Sequence, residues 1–271
     1  MKKTFFGFIV LIASLTINAN EIFSGFTMPE SVAQGKDGAI YVSEIGERDV
    51  DKDGKISKIN KEGVITTVAE GLYDPKGIVF FNDKLYVTDR DVVLEVSMNG
   101  LWVIYAGTMA FPKTPVFLND IDVSANGDLY VTDTGDFESS GFVFLIKKTG
   151  DISVMFENNK NIKAPNGVLP IPSDKLLLVN WTGELLEADL TNNKVKKIAD
   201  GFSGGDGLAY KNGTIYVSSW TKGVIYAVKN GEVKIFSEGF QAPADISLSL
   251  DKKKLIVPDM NGGTITLIDL R

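Results

Sequence analysis

The chain has 271 residues, a formal net charge of −7, and no cysteine or histidine. An acidic chain without a basic run is a poor partner for nucleic acid or for an anionic membrane surface. Without thiols or imidazoles there is no disulfide framework, no Ser-His-Asp triad and no His or Cys zinc site. Acid–base work then falls to carboxylates, Lys or Tyr. Any metal must be held by oxygen, which favours calcium or another hard cation.

The first segment, 1–19, has the layout of a secretory signal. Lys2 and Lys3 form the positive start, Phe5 to Leu15 an apolar stretch too short to span a bilayer, and Ala19 a small residue at the cleavage site. The expectation is a protein exported to a bacterial periplasm or secreted. An uncleaved anchor is the alternative. Loss of the two lysines takes the charge from −7 to −9.

From residue 20 onward the chain repeats. Strand-like segments IYVSE, LYVTD, LYVTD, LLLVN, IYVSS and LIVPD begin at Ile40, Leu85, Leu129, Leu176, Ile215 and Leu255. Each follows a short apolar strand and an Asp- or Asn-containing turn, and most lead into a hairpin such as VIYAVKNGEVKIF. Four strands in units of about 40 residues predict an all-β fold, a six-bladed β-propeller formed by a single domain, 20–271. The sixth unit stops after its third strand, TITLIDLR. EIFSGF, from Glu21 to Phe26, echoes the fourth strand KIFSEGF from Lys234 to Phe240. The N-terminal strand is therefore expected to complete the last blade and close the ring.

The stretch DVDKDGKISKIN in the first unit resembles a calcium loop, with Asp49, Asp51 and Asp53 at its first, third and fifth positions and Gly54 at the sixth. Strands flank it, so it is not an EF-hand, and its twelfth position is Asn60, expected to lie within a strand and a poor ligand. A weak second calcium site and a solvated loop are the two readings.

The innermost strands, which line a propeller's channel, read PESVA, PKGIV, LNDID, PNGVL, GDGLA and PADIS. Their second column is Glu30, Lys76, Asn119, Asn166, Asp206 and Ala244. Carboxylates that converge across a narrow channel raise one another's pKa unless a cation offsets them. Two carboxylates, two amide oxygens and water make a reasonable shell for calcium. Lys76 in the same column is the rival counter-ion.

Here the chain resembles the regucalcin/gluconolactonase family of six-bladed propellers, whose motifs match MPESVA, LNDIDV, APNGV and GGDGLAY. The resemblance implies that Glu30, Asn166 and Asp206 hold one divalent cation, expected to be calcium. It implies also that Asp206 handles the proton in lactone hydrolysis and that Asn119 faces the substrate. Where the family's lactonases often carry an arginine, two residues before that asparagine, this chain has Phe117. Trp181 and Trp220, after the second strands of units four and five, would wall a pocket for a ring-shaped ligand or pack between blades. Propellers with NHL-type repeats share the xYVTD strand and bind proteins without catalysis. The expectations are thus a calcium-dependent lactone or ester hydrolase or, alternatively, a propeller that binds a protein or small molecule on its open face. In either case a monomer is expected, with no nucleic-acid partner and no membrane attachment once the signal is removed.

Overall fold

The computed structural model describes residues 20–48, 50–157 and 159–270; the expected signal segment and Asp49 fall outside them. Alternation at period two builds the strands and aims both of their faces at protein. In Leu85-Tyr86-Val87, Leu85 and Val87 enter an apolar cluster with Tyr41 and Ile56 of the preceding unit. Tyr86, on the other face, enters a cluster with Leu118 and Phe144 of the following one. Such strands need partners on both sides, and a radial stack supplies them.

The result is a six-bladed β-propeller. The first blade runs outward from the channel as β2 (Pro29–Gln34), β3 (Ile40–Glu44), β4 (Gly54–Ile59) and β5 (Ile65–Leu72), all antiparallel. Four further blades repeat this order, with innermost strands β6 (Pro75–Phe81), β10 (Leu118–Val123), β14 (Pro165–Ile171) and β18 (Gly205–Lys211). Hairpins in the fifth blade turn on Asn212-Gly213 and Asn230-Gly231, where both residues of each pair have positive φ, as a type I′ turn demands.

The last blade closes as expected. It comprises β22 (Ser247–Leu248), β23 (Lys254–Asp259), β24 (Thr264–Asp269) and, from the other terminus, β1 (Glu21–Ser24). Glu21 pairs with Leu267 and Ser24 with Thr264. Each of six apolar clusters lies between two neighbouring blades, the one joining Val42 and Ile59 to Ile256 and Ile265 sealing last to first.

Polar groups near the channel stitch the blades together. The hydroxyls of Thr132 and Ser218, in the repeated strand motif, donate to the backbone carbonyls of Asn166 (2.5 Å) and Ala244 (2.8 Å) in the next blade; Thr88 does the same to Asn119. After the second column come Gly77, Gly167 and Gly207. A Cβ on Gly167 would lie 2.1 Å from the Asp206 carbonyl oxygen, and one on Gly207 2.2 Å from the Ile246 nitrogen. The glycines of P-N-G and G-D-G thus belong to strands and allow adjacent inner strands to approach.

Candidate metal centre and its cavity

The inner strands deliver the second column to one end of the channel. Glu30, Lys76, Asn119, Asn166 and Asp206 are all buried and line one cavity of about 480 Å³. Ala244, the sixth member, contributes no polar group.

Placement of that column depends on the residue that ends each second strand. Glu44 accepts from the N–H of Thr27 (2.7 Å), and Asp89 from those of Tyr73 (3.1 Å) and Asp74 (2.6 Å). Asp133 accepts from Val116 and Phe117, both at 2.8 Å, and Asp259 from Gln241 and Ala242, both at 2.8 Å. Asn180 accepts from Lys163 at 3.4 Å, and Ser219 donates to the Ser203 carbonyl at 2.5 Å. These side chains satisfy the backbone of the segment entering each inner strand and fix where it starts. They hold the site from behind.

Four side-chain oxygens in the column are buried without a hydrogen-bond partner: Glu30 Oε2, Asn119 Oδ1, Asn166 Oδ1 and Asp206 Oδ1. Burying a polar atom unpaired costs roughly 1–3 kcal/mol, and more when it is charged, so such atoms are rare. Here they come from four different blades. Asn119 is oriented by its own amide nitrogen, which donates to Thr134 Oγ1 at 3.1 Å, leaving its oxygen for the cavity.

The electrostatics agree with the geometry. Burial pushes the Glu30 carboxyl well above its ordinary range, and repulsion from Asp206 and Asp120 pushes it further, while Lys76 opposes them. Burial and Asp120 raise Asp206 likewise, against a hydrogen bond from Asn166. A divalent cation would satisfy the orphaned oxygens and offset both carboxylates. These are hard oxygen donors of the kind calcium takes. Among the described residues no group of three or more His, Cys, Asp or Glu side chains is placed to hold a metal, so a cation here would need an amide oxygen, such as that of Asn166, beside the two carboxylates. The donors fit a hard cation.

Lys76 is buried, and burial lowers its pKa. Its ammonium donates to the Asp74 carbonyl at 3.1 Å and stands 4.3 Å from the centroid of the Phe117 ring. It leans toward the wall, while its charge still lowers the Glu30 pKa.

That wall is aromatic. Phe117, Phe137, Trp181 and Trp220 follow one another around the cavity, with centroid separations of 4.7, 5.5 and 5.8 Å. Trp181 and Trp220 wall the cavity, the first of the two roles open to them from sequence. Phe137 escaped the sequence reading because it lies four residues beyond the strand-ending Asp133, where the tryptophans follow their strand ends directly. Ile45 and Met260 occupy the same register as the tryptophans and also line the cavity; extending that column to all blades finds them.

The calcium-like loop does not join this site. Arg90 takes Asp51 in an ion pair at 2.7 Å, and Asp53 accepts from the N–H of Glu47 at 2.7 Å, so the two carboxylates are committed to separate partners. Asp53 Oδ1 is itself without a partner. Asn60 lies beyond the end of β4, in a turn where its side-chain oxygen accepts from Glu62 and Val64. The expectation of a strand position for it is corrected accordingly.

No protein-family model matches the chain, and no curated protein matches it in sequence. Solved structures do. A gluconolactonase from Xanthomonas campestris superposes with a TM-score of 0.76 at 14% identity, over 93% of this chain and 90% of that one. The luciferin-regenerating enzyme gives 0.73 at 11%, over 93% and 96%. A chain of the nidogen/laminin complex gives 0.70 at 18%, over 83% and 86%. The likeness is one of fold. Two enzymes and a chain of the nidogen/laminin complex share it, so function must be argued from the site.

Proposed function

We propose that this chain is an exported hydrolase of a lactone or similar ester, dependent on one divalent cation, most naturally calcium, and acting in the periplasm. The observation that carries the reading is the set of four unpartnered oxygens in one cavity. The gluconolactonase among its structural neighbours supports it at low identity. Glu30, Asn166 and Asp206 would hold the cation, with Asn119 beside it. Bound there, the cation supplies Lewis-acid polarisation of a carbonyl.

The chain's own groups do the remainder. Asn119 offers its amide oxygen to a substrate hydroxyl or water from a fixed orientation. Asp206 accepts the proton of the water that adds to the carbonyl carbon and returns it to the leaving ring oxygen as the acyl–oxygen bond breaks, giving a hydroxy acid. The aromatic wall keeps bulk water from one side of the reacting group.

Calorimetric titration with calcium, followed by a panel of lactones assayed with calcium and with chelator, tests the reading. Turnover that needs the ion and disappears in Asp206→Ala is expected. Calcium binding without turnover of any lactone would favour the alternative, a propeller that binds a ligand on this face. Phe117, in place of the family's sugar-gripping arginine, is the observation on that side.

A further inference from the structure

Among the described residues, the four-ring wall lies outside the apolar packing between blades. Phe117, Phe137, Trp181 and Trp220 belong to none of the six interblade clusters and are not among the residues packed at their edges. Each remains partly exposed, and each faces the cavity. They come from four separate segments: Phe117 from the entry to the third blade, the others from the loops after the second strands of blades three, four and five. Their contacts are edge-on or tilted, with interplanar angles of 66°, 81° and 49°, so no neighbouring pair is stacked face to face.

Phe137 is held there against its backbone preference. Its φ is 64°, a left-handed value uncommon for a bulky side chain. The loop enforces it: the Phe137 N–H donates to the Thr134 carbonyl at 3.2 Å, and Asp136 accepts from the N–H groups of Glu138, Ser139 and Ser140. The ring is thereby inserted between Phe117 and Trp181, where it completes the arc. Backbone strain that aims a side chain into a cavity points to a ligand contact.

Hydroxyl-reading groups are few along the aromatic arc, although Arg48, exposed at the rim, also lines the cavity. Lys76 is already bonded to Asp74 and lies over Phe117, and the Asp74 carboxylate is paired with Arg90 at 3.0 Å. A sugar acid would bury most of its hydroxyls against rings whose only donors are the two indole N–H groups, which costs affinity for each hydroxyl left unpaired. A flat apolar ring would gain the edge-to-face contacts the arc presents.

On the reading above that the site hydrolyses a lactone or ester, we propose that its substrate carries an aromatic or similarly flat apolar ring seated against Phe137, Trp181 and Trp220. The carbonyl then lies toward Glu30, Asn119, Asn166 and Asp206. A benzo-fused lactone is the simplest member of this class. The polyhydroxylated lactone is its competitor.

The chain carries its own reporter. Of three tryptophans, two are in the wall. The third, Trp102, sits on the outer strand of blade two, its indole N–H donating to the Glu70 carbonyl. In a Trp102→Phe background, tryptophan emission therefore reads the wall alone. Chroman, the ring without a carbonyl, is titrated in chelator. 3,4-Dihydrocoumarin and glucono-δ-lactone are then compared as substrates in calcium.

Saturable emission changes with chroman are expected. Phe137→Ala should weaken binding about tenfold, the loss that follows from one aromatic contact, while Phe137→Tyr retains it. The higher kcat/KM should belong to dihydrocoumarin. An unchanged chroman affinity in Phe137→Ala, or faster turnover of glucono-δ-lactone, overturns the inference and leaves the hydrolase standing. Chroman binding lost in Phe137→Ala, with no turnover of either lactone, upholds the ring seat and sinks the hydrolase.

Discussion

The ammonium of Lys76 faces the ring of Phe117 at 4.3 Å and donates to the Asp74 backbone, although the orphaned carboxylate oxygen of Glu30 belongs to the same channel column. A buried lysine acting as counter-ion would be expected to bond to a carboxylate, because a charge-assisted hydrogen bond is the stronger one. Lys76 instead completes the polar edge of an aromatic wall, and its charge offsets the rise of the Glu30 pKa only in part.

Lys76→Met should accordingly preserve calcium binding, or tighten it by up to about tenfold through removal of a nearby like charge. Calorimetry on wild type and variant measures this directly. A wild type that takes no divalent ion, beside a variant that does, would make Lys76 the native counter-ion and the propeller a binding module.

Asp206→Asn separates charge from shape. The carboxylate is buried and its pKa raised, so its ionised form is unfavourable in the folded chain without a cation. In chelator the variant should melt no lower than wild type, while the rise in Tm that calcium gives wild type should vanish. A variant that still gains stability from calcium would place the ion elsewhere, with the Asp51–Asp53 loop the first place to look.

Much of this architecture could be read in the chain because its causes are local and repeated. The alternation of Leu85, Tyr86 and Val87 is visible without coordinates, and six copies of it leave little choice of fold. Closure by Glu21–Ser24 was legible because the N-terminal strand echoes a complete blade's fourth strand. Glu30, Asn119, Asn166 and Asp206 emerged from aligning inner strands, since the ring converts a shared column into spatial neighbours. Phe137 did not, because its position depends on an irregular loop and a left-handed residue, which no alignment of strands encodes. The loop of Asp51 and Asp53 shows a related limit: local letters specify a turn, while Arg90, 39 residues away from Asp51, sets where that carboxylate points.

Asp133 tests whether the strand-ending residues hold the site. Its carboxylate is fully buried and accepts from the N–H groups of Val116, Phe117 and Gly135. Asp133→Ala strands those donors and should cost about 2–4 kcal/mol, with Phe117 displaced and ring binding weakened. Asp133→Asn keeps one acceptor and should fall between. Urea unfolding at matched m-values reads the loss. A loss below about 0.5 kcal/mol in Asp133→Ala would mean the entry segment is held by other contacts.

Ring closure makes a separate forecast. β1 supplies the fourth strand of the last blade through pairing with β24, so deleting Glu21–Ser24 exposes an edge strand. The truncated chain should melt at a lower temperature and self-associate at high concentration, as scanning calorimetry and light scattering would register. An unchanged Tm would mean that packing between blades closes the ring unaided.

The last forecast concerns the other end of the channel, where Asp120, Asp122 and Asp245 line a cavity of about 300 Å³. Burial pushes the Asp122 carboxyl up to about 8, against a hydrogen bond from the Val123 N–H and with added repulsion from Asp120. In the unfolded chain the same group titrates near 3.9, as an ordinary aspartate does. Between roughly pH 4 and pH 8 the folded state therefore keeps a proton that the unfolded state has released, and stability attributable to this group falls as pH rises through that window. Asp122→Asn removes the titration and retains the shape. Near pH 4 the two proteins should melt together. By pH 8 the variant should lead, by about 2–4 °C for each ~1 kcal/mol of proton-linked stability that the half-buried carboxyl has lost. Asp120 and Asp245, both also raised by burial, keep wild type and variant alike sloping downward, so the difference between the two curves isolates Asp122. Parallel Tm curves from pH 4 to pH 8 would mean that this carboxyl is ionised in the folded protein, with its charge solvated through the open end of the channel.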